Sequence, residues 1–277
     1  FGYGWMFNYY YRLQALSNGN VTIVSGDGRN DTYTFNSTTG TYTSAPGLFQ
    51  TLTANADGTW VLTGPDAKKL LFDINGLLTA VIDRNGNQIT LTYNPAGVQT
   101  ILGTPSFALG GLSVPAQVVA YDYQLTRITD TVGRAVDFTY DAKGHLVAIT
   151  DYAGRAVTFT YDNLTNNLVS ITRPASSEFP SGLTKSFIYD AGHRLLSITV
   201  PKGQTFVNNT YDTSARVSQQ NLGAGDYLFS YGLNQTTVTD RKGFVTRYTF
   251  NATGNVTVKE EFTAGVRPGD PASFITR

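Results

Sequence analysis

The stretch Tyr140-Asp141-Ala142-Lys143-Gly144-His145-Leu146-Val147-Ala148-Ile149-Thr150-Asp151-Tyr152-Ala153-Gly154-Arg155 decides the fold. It holds two copies of one device, Asp followed three residues later by Gly, separated by a short apolar run. A carboxylate at the head of a turn accepts bonds from its own backbone, and Gly takes up the positive φ that a tight reversal needs. Each unit is therefore expected to hold two turns with short strands between them.

Outward from this stretch, an aromatic followed by Asp or its substitute recurs. It appears as Phe72-Asp73, Tyr93-Asn94, Tyr121-Asp122, Tyr161-Asp162, Tyr189-Asp190, Tyr211-Asp212, Tyr231-Gly232 and Phe250-Asn251. Successive aromatics stand 19 to 28 residues apart, and the two long intervals contain the Gly/Pro/Ser-rich insertions 103–115 and 174–182. The underlying period is about twenty-one residues, in the range of repeat architectures. A second turn signal alternates with the first at Asp83, Asp130, Asp151 and Asp240, each three residues before Gly. Between turns, apolar residues fall at every second position, as in Val136, Phe138 and Tyr140, or Val157, Phe159 and Tyr161, or Ile89, Leu91 and Tyr93, or Phe244, Thr246, Tyr248 and Phe250. Period two is the mark of a strand with one buried face.

Short strands joined by tight turns must run antiparallel, and no single unit can bury its own aromatic face. The expected fold is all-β: a long antiparallel meander of hairpins, twisted into a curved sheet, open shell or superhelical ribbon. Gly28-Arg29 leading to Tyr33-Thr34-Phe35-Asn36 parallels Gly243-Phe244 leading to Tyr248-Thr249-Phe250-Asn251, so the amino-terminal region partly shares the repeat. The expected division is an amino-terminal β segment, 1–66, and a repeat segment, 67–277.

The pattern Tyr-Asp, Gly, basic residue, Leu, then Ile149-Thr150-Asp151 and Gly154-Arg155, resembles the YD repeat of RHS proteins. The resemblance extends over Phe72 to Thr92, Tyr121 to Asp162, Tyr189 to Thr199 and Asp240 to Asn255, roughly the last two-thirds of the chain. Gly2-Tyr3-Gly4-Trp5 with Tyr11-Arg12-Leu13 looks like the segment that precedes such repeats. In RHS proteins, toxin-complex subunits and teneurins these repeats wind into a hollow shell. The resemblance thus implies a structural wall that encapsulates or displays a partner domain, such as an enclosed toxin, in a secreted or cell-surface bacterial protein. The family's core ends in an Arg-rich, Tyr-Tyr-Asp-Pro-like stretch with self-cleaving aspartates, and Asp270-Pro271 lacks the preceding tyrosines. The chain is read as part of a wall, without that plug and without a toxic tip.

Composition removes several alternatives. Lys plus Arg and Asp plus Glu are both 20, which leaves no basic footprint for nucleic acid. Cysteine is absent, which excludes disulfides and thiolate chemistry. No apolar run approaches the roughly 20 residues of a membrane helix, and no signal peptide is visible from Phe1, so the chain reads as a processed chain or a fragment. Gly-x-Ser-x-Gly elbows, phosphate loops and dinucleotide fingerprints are missing. Asp27, Arg29, Asn30 and Asp31 suggest a calcium loop, but Thr38 stands where the closing glutamate belongs. His145 and His193 both fall between a Tyr-Asp and a Leu, in the slot that is basic in other units, and two histidines do not furnish a zinc shell. No metal, cofactor or catalytic residue is expected. Eight Asn-x-Ser/Thr sequons, from Asn20 to Asn255, follow by chance from Thr-rich strands beside Asn-rich turns. A Gly-Trp solenoid of similar period is disfavoured by the two tryptophans, and a glycoside-active enzyme has only scattered aspartates in its favour.

The candidate functional residues are then of two kinds. Phe72, Asp73, Tyr93, Tyr121, Asp122, Tyr140, Asp141, Gly144, Gly154, Arg155, Tyr161, Asp162, Tyr189, Asp190, Tyr211 and Asp212 carry the repeat. Trp5, Trp60, Tyr152 and Tyr227 stand off its register, and such aromatics either pack in a core or stack on sugar faces. The second reading of the chain is accordingly an extracellular carbohydrate- or receptor-binding module, with glycans or a cell-surface receptor as partners.

Overall fold

The computed structural model describes residues 7–100, 119–252, 254–263 and 273–276, and these contain strands, turns and no helix. Trp5, the 103–115 insertion and Asp270-Pro271 lie outside the described residues. The chain divides into two compact units, Phe1–Thr158 and Phe159–Arg277, with the division inside a strand.

The amino-terminal unit opens with a four-stranded antiparallel sheet of β1 (Arg12–Ala15), β2 (Val21–Val24), β3 (Asn30–Asn36) and β4 (Thr41–Thr43). A meander follows through β5 (Thr51–Ala54), β6 (Trp60–Thr63), β7 (Lys69–Phe72), β8 (Leu78–Ile82), β9 (Gln88–Thr100), β10 (Val119–Thr129), β11 (Ala135–Tyr140), β12 (Leu146–Thr150) and β13 (Ala156–Tyr161). The meander order continues in the second unit with β14 (Leu168–Arg173), β15 (Leu183–Tyr189), β16 (Leu195–Thr199), β17 (Thr205–Tyr211), β18 (Val217–Asn221) and β19 (Asp226–Gly232). It ends with β20 (Gln235–Thr239), β21 (Val245–Phe250), β22 (Val256–Thr263) and β23 (Ser273–Thr276). The all-β antiparallel meander expected from the turn spacing is the fold of the chain.

One hairpin connection makes most of these reversals. At Asp141 the Asp141 N–H donates to the His145 carbonyl at 2.9 Å, and the Gly144 N–H donates to the Asp141 carbonyl at 3.0 Å. Gly144 sits at φ 84°, the left-handed position of a type I turn closed by a one-residue bulge. The same two bonds close the turns that start at Ser25, Asn55, Asp73, Asp83, Asp130, Asp151, Asp190, Asp212, Asp240 and Asn251. The turn at Asp162 is one residue longer, with Asn166 at φ 57°.

A second irregularity follows the aromatic-Asp turns. Thr139 pairs with Ala148 but Tyr140 pairs with Leu146, which leaves Val147 as an extra residue. Thr79, Leu196, Ser218 and Thr257 are the corresponding extra residues in their hairpins. Such bulges raise the local twist of the strand pair.

The first unit has a continuous core. On the opening sheet Leu13 lies opposite Ile23 and Val21 opposite Tyr33, and all four are buried. On the meander, Leu52, Leu62 and Leu70 form one buried cross-strand row, and Trp60, Phe72 and Leu78 form the next. Phe72 and Leu78 are 1% and 0% exposed, and burying each such side chain contributes about 1.5–3 kcal/mol. The Leu13 N–H donates to the Gly76 carbonyl at 2.9 Å, the Tyr33 hydroxyl to Gln50 Oε1 at 2.6 Å, and Tyr42 meets Trp60 edge-on at 5.4 Å. These contacts fix the opening sheet on β5–β8. In the second unit the buried hydrophobic residues are Phe159, Leu168, Phe187 and Val207, accompanied by the buried amides Asn167 and Asn209.

Candidate functional site

The repeat converges on a joint between successive hairpins. Its first part is the turn aspartate. Asp212 Oδ1 accepts the backbone N–H groups of Ser214 and Arg216, both at 2.9 Å, while Oδ2 takes Arg216 Nε at 2.9 Å. Asp190 does the same with Gly192, Arg194 and Arg194 Nε at 2.9, 3.0 and 2.6 Å. Asp151 engages Ala153 and Arg155, Asp130 engages Val132 and Arg134, and Asp141 engages Lys143 and His145. The physical reason is an accounting one: the turn's two backbone bonds leave these N–H groups without a carbonyl, and one carboxylate oxygen reaches both.

The bonds stabilise the charged carboxylate. Asp151 is held below the usual carboxylate range by the Arg155 side chain first, and Asp190 and Asp212 by the backbone N–H groups of Arg194 and Arg216. Asp73 and Asp83 use the same geometry with Leu77 and Asn87 in place of the arginine. Asp162, in the longer turn, accepts instead from Leu164 and Thr165.

The second part is the tyrosine of the following unit. The Tyr211 hydroxyl donates to the Leu195 carbonyl at 2.7 Å, and the Arg194 guanidinium lies over the Tyr211 ring at 4.8 Å. Tyr231 repeats this with the Val217 carbonyl at 2.7 Å and Arg216 at 4.3 Å. Tyr140 donates to the Leu125 carbonyl at 2.9 Å. Arg194 and Arg216 thus each join the aspartate of their own turn to the tyrosine of the next unit, within the distance of about 6 Å at which a cation is attracted to a ring.

The third part is a hydroxyl at the bulge. Thr79, Ser218 and Thr257 donate to the carbonyls of Leu71, Thr210 and Thr249, each at 3.2 Å, across the gap left by the extra residue.

The other expected residues lie along the strands and turns. Phe72 has no hydroxyl and is core. Tyr93 is pushed above its ordinary pKa by burial. Tyr161 and Tyr189 end β13 and β15 as the pattern requires. Tyr121 and Asp122 lie in β10, and their side chains are outside the described part of the chain. Gly154, at φ 78°, faces open space.

Two sequence expectations need correction. His193 does not occupy the basic slot: it takes the left-handed position, at φ 62°, and Arg194 is the basic residue of that turn. The His193 Nδ1 instead meets Asn167 Oδ1 at 2.9 Å. Phe244 belongs to a turn, where it is 62% exposed, and the strand begins at Val245. What the sequence reading missed is the link from turn to next tyrosine. The signal was present in Asp-x-x-x-Arg at 130, 151, 190 and 212, a spacing that places a guanidinium back on its own carboxylate.

The off-register aromatics are dispersed. Trp60 lines an open cleft of about 380 Å³ with Arg12, Gln14 and Ile74. Tyr152 is 63% exposed, beneath the Arg134 guanidinium at 5.5 Å, and Tyr227 lies 5.8 Å from Arg241. The calcium-like segment is a turn in which Asp27 Oδ1 accepts the Ser25 hydroxyl and the Arg29 N–H, and Arg29 pairs with Asp31. No cluster of three or more His, Cys, Asp or Glu occurs among the described residues.

Joints of this kind, recurring from hairpin to hairpin, define an all-β repeat protein. The sequence profile of the RHS Repeat family matches residues 124–151 and 140–178. No curated protein matches it. Among solved structures it aligns with TcdB2-TccC3-TEV at 15% identity and TM-score 0.34, covering 94% of this chain and 16% of that one. The Photorhabdus luminescens Tc holotoxin pore aligns at 14% identity and TM-score 0.30, covering 89% of this chain and 14% of that one. A porin-like protein from Bacteroides uniformis aligns at 15% identity and TM-score 0.21, covering 96% and 91%. The chain spans a small part of the toxin-complex chains, and superpositions at these scores carry no argument.

Proposed function

We propose that this chain is a wall segment of an RHS-type shell, a structural scaffold whose repeats, 67–277, enclose or display a partner domain. The observation that carries this reading is the joint itself. Asp, Arg and the next Tyr are bonded to one another and to backbone, so their polar capacity is used in holding one hairpin to the next. A toxin domain of the same polypeptide is the partner that fits such a wall, and a curved or superhelical sheet is the form that bulged, twisted hairpins favour. The setting is secreted or on the bacterial cell surface. Among the described residues no helix is long and apolar enough to cross a membrane.

The test is limited proteolysis of the polypeptide that carries this chain, followed by mass spectrometry. A wall protects the domain it encloses until the repeats themselves are cut. Cleavage of every adjoining domain at full rate while the repeats remain intact would refute enclosure.

A second reading, an extracellular carbohydrate- or receptor-binding module, is favoured by the exposure of Tyr152 and the placement of Trp60 in a cleft. Binding of a glycan that weakens on Trp60→Ala or Tyr152→Ala is its expected signature.

A further inference from the structure

The strands β17, β18 and β19 carry on one face a set of polar side chains that the joints do not use. Asn208 stands opposite Asn221, which stands opposite Asp226. One step along, Thr210 stands opposite Gln219, which stands opposite Leu228. The rows follow from strand geometry: paired strands lie about 4.8 Å apart, and same-face neighbours along a strand are separated by two residues. Together with Thr205, five of these residues, Asn208, Thr210, Gln219, Asn221 and Asp226, line an open cleft of about 330 Å³.

The side chains of Thr205, Asn208, Thr210 and Gln219 make no hydrogen bond among the described residues, whereas Asn221 is engaged at both ends, its Nδ2 donating to Asp226 Oδ1 at 2.6 Å and its Oδ1 accepting the Gly223 N–H at 2.9 Å. The opposite face contrasts with this. There Asn209 is buried and fully engaged, donating to the Leu195 carbonyl and accepting from Gln220 Nε2.

The chemistry of the lining selects the ligand. Among the described residues no cation lines the cleft, which disfavours phosphate or sulfate, and the single lining carboxylate is too few for a divalent ion. Each strand is already paired on both sides, so a peptide cannot add as a strand. Amides and hydroxyls offer donors and acceptors in equal measure, and the exposed Leu228, 47% accessible, adds an apolar patch at the end of the second row. That combination complements an uncharged polyol, with hydroxyl groups for the amides and a C–H face for the leucine.

We propose that the groove formed by Thr205, Asn208, Thr210, Gln219, Asn221 and Asp226 is a binding site for a neutral oligosaccharide. This site rests on the carbohydrate-binding reading above, not on the wall reading, and its lining does not include Trp60 or Tyr152.

The test is an array of neutral oligosaccharides, followed by titration calorimetry with any that bind. It uses the unaltered chain, Asn208→Ala/Gln219→Ala, Gln219→Leu, and Trp60→Ala/Tyr152→Ala, each checked for its β-sheet circular dichroism. The expected result is binding by the unaltered chain that weakens about tenfold or more in both groove variants, since each loses hydrogen bonds worth about 1 kcal/mol apiece. The loss in both groove variants should exceed the loss in Trp60→Ala/Tyr152→Ala. Binding lost only in the Trp60/Tyr152 variant would overturn the groove and leave the carbohydrate reading standing. Absence of binding to every oligosaccharide at about 10 mM, a standard-state affinity weaker than roughly 3 kcal/mol, would overturn both.

Discussion

The two units of this chain are built from the same turn and are held in different ways. In the first unit, two stacked rows of leucines and aromatics, from Leu52 to Leu78, are sealed under an opening sheet that contributes Leu13, Val21, Ile23 and Tyr33. In the second, Val207 is the last buried hydrophobic residue among those described, and every residue of β18, β20 and β21 is half-buried. Arginine-on-aromatic contacts accompany the polar joints there: Arg194, Arg216, Arg241 and Arg247 each lie over a ring in the second unit, as Arg134 does over Tyr152 in the first. A repeat can therefore keep its backbone plan while its cohesion moves from burial to polar joints, because the turn geometry depends on Asp and a left-handed residue and not on what lies beneath.

The largest expected effect of breaking this contrast is in the core. Phe72→Ala should cost about 3–5 kcal/mol, because it opens a cavity at a side chain 1% exposed. Val217→Ala, at a half-buried position of β18, should cost less than about 1 kcal/mol. Urea unfolding followed by fluorescence separates the two. Comparable losses would show that the second unit is as dependent on burial as the first.

Two glycines of the same turn type give the next effect. Gly154 has φ 78° and open space around it, so Gly154→Ala meets only the left-handed penalty of about 1–2 kcal/mol. At Gly76 an added methyl would strike the carbonyl of Leu13, the residue whose N–H seats the opening sheet on the Gly76 carbonyl, so Gly76→Ala should cost more and selectively expose residues 12–43 to protease. Equal thermal shifts for both variants would contradict the docking role of Gly76.

Smaller still is the loss of one joint. Tyr231→Phe removes the bond to the Val217 carbonyl and keeps the ring under Arg216, so it should cost about 1 kcal/mol by denaturant titration. Arg216→Lys removes the side-chain fork that both pairs Asp212 and covers Tyr231, and should destabilise the second unit, whereas Arg84→Lys should have no effect.

The pH limits divide in the same manner. Asp151, Asp190 and Asp212 have folded pKa values below the ordinary aspartate value of 3.8, so their stabilising contribution is present above that pH and is lost as pH falls through the depressed values. Tyr33 is pushed up to about 12 from 10.0, chiefly by burial, so its contribution is complete below pH 10 and is lost between there and about 12. Acid should loosen both units, and alkali should loosen the first, which also holds the raised Tyr93. Circular dichroism and tyrosine absorbance across both limbs check the assignment, and Asp212→Asn should blunt the acid limb.

Much of the fold was legible because its determinants are local. Asp141 and Gly144 specify their turn within five residues, and period-two alternation names the face of Phe138 and Phe159. The joint was less legible, since Arg216 and Tyr231 meet only when two strands have paired and a bulge has shifted their register. His193 misled because a non-Gly residue at positive φ leaves no mark in composition. The groove on β17 to β19 was invisible for a related reason: Asn208, Gln219 and Asp226 come from three strands and carry no motif.

The most direct test of the central contrast is hydrogen–deuterium exchange with mass spectrometry on the intact chain. Peptides from β5 to β8 should exchange slowest, at the rate of global unfolding, and peptides from β18 to β22 should exchange faster by local opening. Equal protection of the two regions, or slower exchange in β18 to β22, would contradict the account.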